Sequence, residues 1–310
     1  MGTLLAWIRL LRLPNHATAV ADVLAGWLVV ARPRELGWPP VAAWMAIGAG
    51  LCLYAAGMVL NDVCDVDLDR RERPERPLPS GRIAVGTAAL VGQGLLALGG
   101  LLGAATAWVT GHPAVVLVTA ALTAAVWLYD RHAKATPWGP TAMGLCRSLA
   151  WLVGMTAAGG PTEASQWLIP AGMGLYVGGI TLYARDEAGR SRAPTLLAGA
   201  VAMAAGLALV AAQSVWTVRS GEAAPFLAAR APGNWAAVWA VLITLLSVRN
   251  VLPLIDPSPG RVQATVGNCI MAIITIDAIV AMTTCGESWG IAVLMLLVPF
   301  LVGRALVPPS

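Results

Sequence analysis

The sequence predicts an all-α fold, a polytopic bundle of nine to ten transmembrane helices that forms a single domain over residues 1–310. Of its 310 residues, 58% are hydrophobic and only 12% are charged, and the mean hydropathy is +0.72. Soluble domains carry about 25% charged residues, so a soluble class of protein is excluded. Apolar runs of about twenty residues, the length that crosses a bilayer, recur along the whole chain.

The predicted elements begin with a short amphipathic segment, residues 1–15, in which Arg9 and Arg12 lie one turn apart. We expect this segment to lie along the membrane interface before the first span. Small residues at helical spacing in the third and seventh spans indicate close packing between helices. The ten predicted spans cover residues 16–32, 41–60, 83–107, 112–129, 139–158, 166–185, 193–217, 234–254, 263–284 and 288–306.

The distribution of basic residues predicts the orientation, because cytoplasmic connections carry an excess of lysine and arginine. With the N-terminus in the cytoplasm, the connections on that side hold Arg70, Arg71, Arg73, Arg76, Arg82, Arg131, Lys134, Arg185, Arg190, Arg192 and Arg261. The opposite connections hold only Arg32, Arg34, Arg219 and Arg230. We therefore expect a multi-pass protein of the cytoplasmic (inner) membrane. The net charge of +4 follows from this asymmetry, so nucleic acid is not an expected partner.

The stretch 61–81, NDVCDVDLDRRERPERPLPSG, separates two apolar runs and carries much of the charge of the chain. On a helix, Asp62, Asp65 and Asp69 fall on one face, whereas Asp67 points away. Three carboxylates so placed repel one another unless a cation joins them, and hard oxygen ligands suit Mg²⁺ better than zinc or copper. The arginines that follow suit an anionic ligand such as a diphosphate. The alternative is a solvated charged loop, which requires neither an Asn-Asp pair nor carboxylates in phase.

One pattern in this stretch is long and specific: Asn61-Asp62-x-x-Asp65-x-x-x-Asp69, then Arg73-Pro74 and Arg76-Pro77-Leu78-Pro79-Ser80-Gly81. It resembles the first aspartate-rich motif of the UbiA superfamily of intramembrane prenyltransferases. The resemblance implies that Mg²⁺ bridges carboxylates and the diphosphate of an allylic isoprenoid, acting as a Lewis acid. It assigns the metal and catalysis to Asn61, Asp62, Asp65 and Asp69, and the diphosphate to Arg73 and Arg76. Because the family usually has nine spans, the last two predicted segments hold either a re-entrant piece or an extra helix.

The second polar connection reads WLYDRHAKATPWGP and contains Lys134, the only lysine of the chain. The family places a tyrosine and a following lysine here, and Tyr129 and Lys134 fit those positions. The resemblance implies that Lys134 binds the diphosphate and that Tyr129 shapes or polarises the same end of the site. The alternative is an interfacial tyrosine with a lysine that extends to the membrane surface.

The third polar connection, GGITLYARDEAGRSRAP, departs from the family pattern of two aspartates four residues apart. It offers the adjacent pair Asp186 and Glu187, with Arg185 beside them. Adjacent residues on a helix point about 100° apart, so we expect only one of the two carboxylates to face the site squarely. We assign Asp186 and Glu187 to the metal shell and Arg185 to the diphosphate. The altered motif weakens the case for two metals and resembles the divergent EboC-like subgroup, which is associated with the ebo gene clusters.

Several charged residues lie inside predicted spans, where each costs about 2.5–3.5 kcal/mol on insertion scales. We expect Arg147, on the cytoplasmic side of the fifth span, to reach the diphosphate. Asp22 lies in the first span, where the family builds part of its acceptor pocket. We expect Asp277 to pair with Arg249. For both Asp22 and Asp277, a structural role and a functional role remain open at this point.

The leading hypothesis is a Mg²⁺-dependent integral membrane prenyltransferase with its catalytic mouth on the cytoplasmic side of the membrane. It would transfer an isoprenoid from an allylic diphosphate to an aromatic or other small lipophilic acceptor. One alternative is a terpene cyclase of the same superfamily, in which the allylic cation closes on itself. Another is a non-catalytic homologue that binds or helps export a prenylated metabolite. The oligomeric state, the isoprenoid length and the acceptor are left open.

Overall fold

The structure is a computed structural model that describes residues 2–187, 189–221 and 232–306. Arg230, one of the basic residues used above to predict orientation, lies outside these ranges. Within the described residues the regular structure is entirely helical, without a β-strand. The predicted all-α fold is therefore confirmed.

The helices follow one another along the chain with short connections. They are α1 (Gly2–Leu10), α2 (His16–Ala31), α3 (Val41–Cys64), α4 (Val66–Glu72), α5 (Val85–Thr110), α6 (Ala114–Leu128), α7 (Gly139–Ala157), α8 (Leu168–Tyr183), α9 (Ala193–Arg219), α10 (Pro232–Ile255), α11 (Pro259–Cys285), α12 (Glu287–Leu294) and α13 (Leu297–Leu306). Short 3₁₀ turns at Leu13–Asn15 and Ala164–Trp167 precede α2 and α8. A π-helical turn, Tyr129–Ala133, continues α6.

All ten predicted spans are helical in the structure. Among the described residues, eight helical stretches are long and apolar enough to cross a membrane, and α7 and α8 are not among them. The last predicted span, 288–306, is divided into α12 and α13 by a turn at residues 295–296. The chain is thus a multi-pass membrane protein whose final apolar segment contains two short helices instead of one continuous helix.

Backbone contact between α2 and α7 sets the centre of the bundle. A methyl group added at Gly26 would collide with the carbonyl oxygen of Trp151, and one added at Gly154 would collide with that of Val23. Small residues at such crossings allow helix axes to approach more closely than side chains permit. This close crossing brings the polar faces of α2 and α7 into contact inside the apolar core.

The N-terminal segment packs on the bundle rather than standing apart from it. Ala6 and Leu10 of α1 are buried in a cluster with Val59, Leu78 and Ile83, which belong to α3 and to the connection that follows α4. A methyl group at Gly303 of α13 would lie 2.9–3.0 Å from the ring carbons of Pro14, so α13 rests on the 3₁₀ turn before α2. The first and last segments of the described chain therefore meet at the same end of the bundle.

Candidate active site

A cavity of about 430 Å³ opens at this end of the bundle. It is bordered by α1, the turn before α2, the connection after α4, the turn after α8, the first turns of α11, and α13. Five arginines and three carboxylates line it: Arg9, Arg12, Arg73, Arg76 and Arg304, with Asp62, Glu75 and Glu187. A cavity lined by more cations than anions is suited to an anionic ligand.

The first aspartate-rich motif spans the end of α3, at Cys64, and the start of α4, at Val66. Asp62 lines the cavity, whereas Asn61, Asp65 and Asp69 do not. Asp62 and Asp69 are 6% and 5% exposed, whereas the side chain of Asp67 is 83% exposed and pairs with Arg70. The short break at Asp65 does not disturb the helical phase of the motif. Asp62, Asp65 and Asp69 accordingly meet cations of the protein while Asp67 faces solvent, as the spacing predicts.

Two arginines hold the buried carboxylates of the motif. The Nη1 atom of Arg76 lies 2.9 Å from Oδ2 of Asp69 and 4.0 Å from Oδ1 of Asp62. The Nη2 atom of Arg12 lies 3.1 Å from the same Oδ1 of Asp62. Arg12 reaches this position from a left-handed backbone conformation, φ 49°, between α1 and the turn before α2. Non-glycine residues rarely adopt that conformation, and where they do they often lie at functional sites.

The second polar connection reaches the same motif through its π-helical turn, a feature that recurs at functional sites. The Nζ atom of Lys134 lies 2.6 Å from Oδ1 of Asp65 and 3.2 Å from the backbone oxygen of Asn61. The side-chain amide of Asn61 donates to Oδ1 of Asp130 at 3.1 Å. Tyr129 is half-buried at the start of the turn, and its backbone oxygen accepts from the N–H of Lys134. Asp65 is thus paired with a lysine, whereas Asp62 and Asp69 are paired with arginines.

The third polar connection contributes one carboxylate to the cavity. Because α8 ends at Tyr183, Asp186 and Glu187 lie on a turn and not on the helix that the sequence suggested. Glu187 lines the cavity, whereas Asp186 accepts from Nε of Arg192 at 3.3 Å. Arg185 is exposed and does not line the cavity. Burial raises the pKa of Glu187, and the charges of Arg73, Arg12 and Arg76 partly oppose that rise.

Asp22 and Arg147 lie in the core of the bundle and not on the cavity wall. The Nη1 atom of Arg147 is paired with Oδ2 of Asp22, and Nε1 of Trp151 donates to Oδ1 at 2.9 Å. Asp277 of α11 is fully buried, and neither of its oxygens has a hydrogen-bond partner. Arg249 therefore donates no hydrogen bond to Asp277, and the expected pairing of the two residues is wrong. Whether two such residues meet depends on how α10 and α11 are turned about their own axes, which cannot be predicted from the sequence.

The acidic motif has the donor atoms that Mg²⁺ prefers, namely carboxylate oxygens together with an amide oxygen at Asn61. In the part of the chain that the structure describes, no three His, Cys, Asp or Glu side chains are drawn together as a metal cage. In the structure each of these carboxylates is paired with a cation of the protein instead: Asp62 with Arg12, Asp65 with Lys134 and Asp69 with Arg76. The donor atoms suit Mg²⁺ by chemical type, and Asn61, Asp62, Asp65 and Asp69 would hold the ion.

The charged residues and amides of this arrangement that were not predicted as site residues include Arg9, Arg12, Glu75, Asp130, Gln263 and Arg304. Arg9 and Arg12 lie one turn apart in the sequence. This spacing could have indicated a basic site, although it was interpreted as part of an interfacial helix. Asp130 lies directly after Tyr129, inside the connection that the resemblance had singled out. Nothing local marks Gln263 or Arg304, because packing alone brings α11 and α13 to the cavity.

The fold and the site define a multi-pass membrane protein with an acidic motif at the rim of a basic cavity. The sequence pattern of the UbiA prenyltransferase family matches residues 19–257 of the chain. The chain belongs to the UbiA prenyltransferase family, and the resemblance drawn from the stretch 61–81 is confirmed.

Curated relatives match shorter parts of the chain. It is 39% identical over 110 residues to the digeranylgeranylglyceryl phosphate synthase of Ignicoccus hospitalis, covering 36% of this chain and 34% of the relative. It is 27% identical over 161 residues to the 4-hydroxybenzoate octaprenyltransferase of Acidovorax ebreus, covering 47% and 52%. The matched segments therefore span between about a third and about half of the length of these relatives.

Solved structures share the fold along nearly the whole chain. The apo structure of a UbiA homolog from Aeropyrum pernix K1 aligns with a TM-score of 0.60 at 18% identity, covering 90% of this chain and 98% of that one. A UbiA homolog from Archaeoglobus fulgidus bound to GPP and Mg²⁺ aligns with a TM-score of 0.58 at 17% identity, covering 93% and 99%. At these identities the likeness is one of fold.

Proposed function

We propose that the protein is a Mg²⁺-dependent integral membrane prenyltransferase that moves an isoprenoid from an allylic diphosphate to a small lipophilic acceptor. The observation that carries the proposal is the set of three carboxylates Asp62, Asp65 and Asp69, each paired with a cation, of which Asp62 lines an arginine-rich cavity. Family membership supports it. The Archaeoglobus fulgidus homolog with GPP and Mg²⁺ supports the same class of ligand.

In this proposal Asn61, Asp62, Asp65 and Asp69 hold the metal, and Glu187 supplies the carboxylate of the opposite wall. Bound Mg²⁺ would neutralise the charge that builds on the leaving diphosphate. Asp186 is a less favourable metal ligand than Glu187, because its carboxylate already accepts a hydrogen bond from Arg192.

The cations that hold the motif in the structure become the diphosphate ligands. Arg12, Arg76 and Lys134 each exchange a carboxylate oxygen for a phosphate oxygen, and Arg73 joins them from the same wall. Guanidinium groups match phosphate oxygens in a two-pronged geometry, whereas lysine acts as a point charge. Arg147 and Asp22 serve the core of the bundle instead, and exposed Arg185 stands outside the cavity. Tyr129 begins the π-helical turn that leads to Lys134, and we assign it to shaping the lysine end of the site.

The reaction breaks the bond between the allylic carbon and the diphosphate oxygen, and the electron pair leaves with the diphosphate. Cations already in place at that oxygen stabilise the developing charge without reorganising at the moment of reaction. The acceptor then forms a bond to the allylic carbon and loses its proton. Apolar residues on the cavity wall, Ile8, Val266 and Ile270, help to keep water away from the allylic cation.

We place the cavity on the cytoplasmic side of the inner membrane. The cavity and the three polar connections lie at one end of the bundle, the end that carries most of the basic residues. Basic connections are retained in the cytoplasm during membrane insertion.

The test is release of diphosphate from allylic diphosphates of several chain lengths by the purified protein in nanodiscs. Release is expected with Mg²⁺ and not with EDTA, and it is expected to be lost in Asp62→Ala and Asp65→Ala. Asp67→Ala is the matched control, since Asp67 lies on the same motif but faces solvent. Analysis of the lipid product separates transfer from cyclisation. If no diphosphate is released at any chain length, while the allylic diphosphates still bind in a Mg²⁺-dependent way, the protein is a binding protein and not an enzyme.

A further inference from the structure

One carboxyl group in the core of the bundle has no part in the proposed function. Asp277 of α11 is 0% exposed, and neither of its oxygens has a hydrogen-bond partner. A charged side chain inside a membrane-spanning helix is unfavourable, and such residues are usually paired with another group. A buried carboxylate without a partner is more stable when it is neutralised than when it remains an ion. Asp277 therefore requires a counter-cation.

The packing around Asp277 leaves room only for the smallest cation. Because the side chain is fully buried, no space large enough for a water molecule adjoins its oxygens. A methyl group at Gly290 of α12 would lie 3.1 Å from the backbone oxygen of Ala278, so α12 covers the neighbouring residue of α11 closely. A buried water molecule needs a cavity and several polar partners, and a metal ion needs several oxygen ligands. A proton needs neither.

The two charged groups that share the core with Asp277 are already paired with each other. Asp22 of α2 forms an ion pair with Arg147 of α7 and also accepts from Nε1 of Trp151 at 2.9 Å. Arg147 is close enough to Asp277 for their charges to interact, although it donates no hydrogen bond to it. With one cation and two carboxyl groups, the core is neutral only when one carboxyl group carries a proton. Asp22 has two donors and Asp277 has none, so the proton belongs on Asp277.

No further charge of the described residues enters this core. The other buried carboxylates, Asp62, Asp69 and Asp130, belong to the acidic motif and to the π-helical turn. The hydroxyl groups of Tyr176 and Tyr183 donate to the backbone oxygens of Cys269 and Asn250. The remaining charged or titratable side chains on the helices that pack against α11 lie toward the ends of the bundle: His16, Arg32, Arg219, Arg249, Glu287 and Arg304.

Hydrogen bonds along one face of α2 connect this core to the cavity. The Nη2 atom of Arg147 donates to Oγ1 of Thr18 at 3.4 Å, and Thr18 donates to the backbone oxygen of Asn15 at 2.9 Å. Asn15 lines the cavity, as does Ile270, which lies seven residues before Asp277 on α11. Seven residues of a helix span about 10 Å. A negative charge on Asp277 would therefore oppose an anion in the cavity, whereas a neutral carboxyl group would not.

We infer that Asp277 is a proton-binding site in the core of the bundle, which holds one proton while Arg147 stays paired with Asp22. The proton comes from the solvent, and the site fills because a dry core is most stable when its charges sum to zero. The number of protons in the core then follows from the number of carboxyl groups and cations in it. This site does not depend on the reaction at the acidic motif.

The experiment is infrared difference spectroscopy of the full-length protein in dodecyl maltoside at neutral pH. A protonated carboxyl group gives a carbonyl band that an ionised carboxylate lacks, and this detergent has no ester carbonyl to obscure the band. We expect Asp277→Asn to lose the intensity of one carboxyl group relative to the wild type. Asp256→Asn is the control, because the side chain of Asp256 is 48% exposed beside Arg261, and it should leave the band unchanged.

Two further variants test the charge balance of the core. In Asp22→Asn one cation and one carboxyl group remain, so Asp277 should ionise and the same intensity should disappear. In Arg147→Gln no cation remains, so Asp22 should also take up a proton and the intensity should rise by about one carboxyl group. Arg147→Lys keeps the charge and should leave the band as it is in the wild type.

Unchanged intensity in Asp277→Asn would overturn the inference, and this variant removes no hydrogen bond on which folding could depend. A band that persists in Asp22→Asn would show that Asp277 keeps its proton whatever the charge of its neighbours, which would overturn the charge balance. The same intensity in Arg147→Gln as in the wild type would overturn it too. These measurements use no substrate, so a failure to release diphosphate would not affect them.

Discussion

The Nζ atom of Lys134 lies 2.6 Å from Oδ1 of Asp65, which joins the connection after α6 to the acidic motif at the end of α3. The side chains of Lys134 and Asp65 are 19% and 27% exposed, so the pair is neither a solvated surface contact nor a sealed internal one. Such a pair can open toward a ligand at modest cost, because water and phosphate can replace either partner. Together with the hydrogen bond between Asn61 and Asp130, this contact joins the second polar connection to the acidic motif.

Replacing Lys134 with methionine should impair the reaction more than it impairs folding. Methionine keeps the length of the side chain but removes the charge that meets the leaving diphosphate. Loss of one such donor typically costs about 100-fold in rate, so kcat/KM for diphosphate release should fall by about that factor. Arg131→Met, in the same connection, is the control. Equal effects from the two substitutions would show that only the general charge of the connection matters.

Asp130→Ala should lower the affinity for Mg²⁺ although Asp130 is not a proposed metal ligand. Its Oδ1 atom accepts from the amide of Asn61, a hydrogen bond that alanine cannot make, and fixes the orientation of that side chain. Groups that orient a metal ligand typically affect metal affinity by about 10- to 100-fold. The Mg²⁺ concentration for half-maximal diphosphate release should therefore rise by about tenfold, with Asp67→Ala as the control. An unchanged Mg²⁺ requirement would remove Asn61 from the metal site.

The two buried aspartates of the core should respond in opposite ways to the same substitution. Asp22→Asn leaves Arg147 without its carboxylate partner, and breaking a buried ion pair in this way costs about 3–5 kcal/mol. Asp277→Asn removes a buried carboxylate whose two oxygens lack hydrogen bonds, so it should be neutral or stabilising. Thermal unfolding in detergent measures both. Greater destabilisation by Asp277→Asn would mean that Asp277, and not Asp22, is the partner of Arg147.

Glu187 should make the stability of the metal-free protein depend on pH. Burial raises its pKa above the ordinary value of 4.5, so the folded protein binds this proton more tightly than the unfolded chain does. The resulting stability is fully present below pH 4.5 and is lost as the pH rises through the raised pKa. In EDTA, Glu187→Gln should remove this decline in melting temperature, whereas Glu72→Gln, at an exposed position, should not. If the melting temperature of Glu187→Gln fell more steeply with rising pH than that of the wild type, the direction assigned to the pKa shift of Glu187 would be wrong.

The parts of the site that could be predicted from sequence are those in which the geometry is local. Asp62 and Asp69, seven residues apart, both lie within 4.0 Å of Nη1 of Arg76, which agrees with the helical phase predicted for the motif. Arg304 could not be predicted, since its place depends on the fit of α13 against Gly267 and Pro14. The end of α8 could not be predicted to the residue either, because the predicted span runs to residue 185, whereas α8 ends at Tyr183 and both Asp186 and Glu187 lie on a turn.

The most direct test of the account compares Asp69→Ala with Asp67→Ala, two residues apart on α4. Asp69 is buried against Arg76, while Asp67 faces solvent beside Arg70. Release of diphosphate from geranyl diphosphate is measured for each in Mg²⁺ and in EDTA. The account predicts that Asp69→Ala abolishes the Mg²⁺-dependent release and that Asp67→Ala keeps it near the wild-type rate. Equal activity of the two variants would contradict a metal site built on the buried face of the motif.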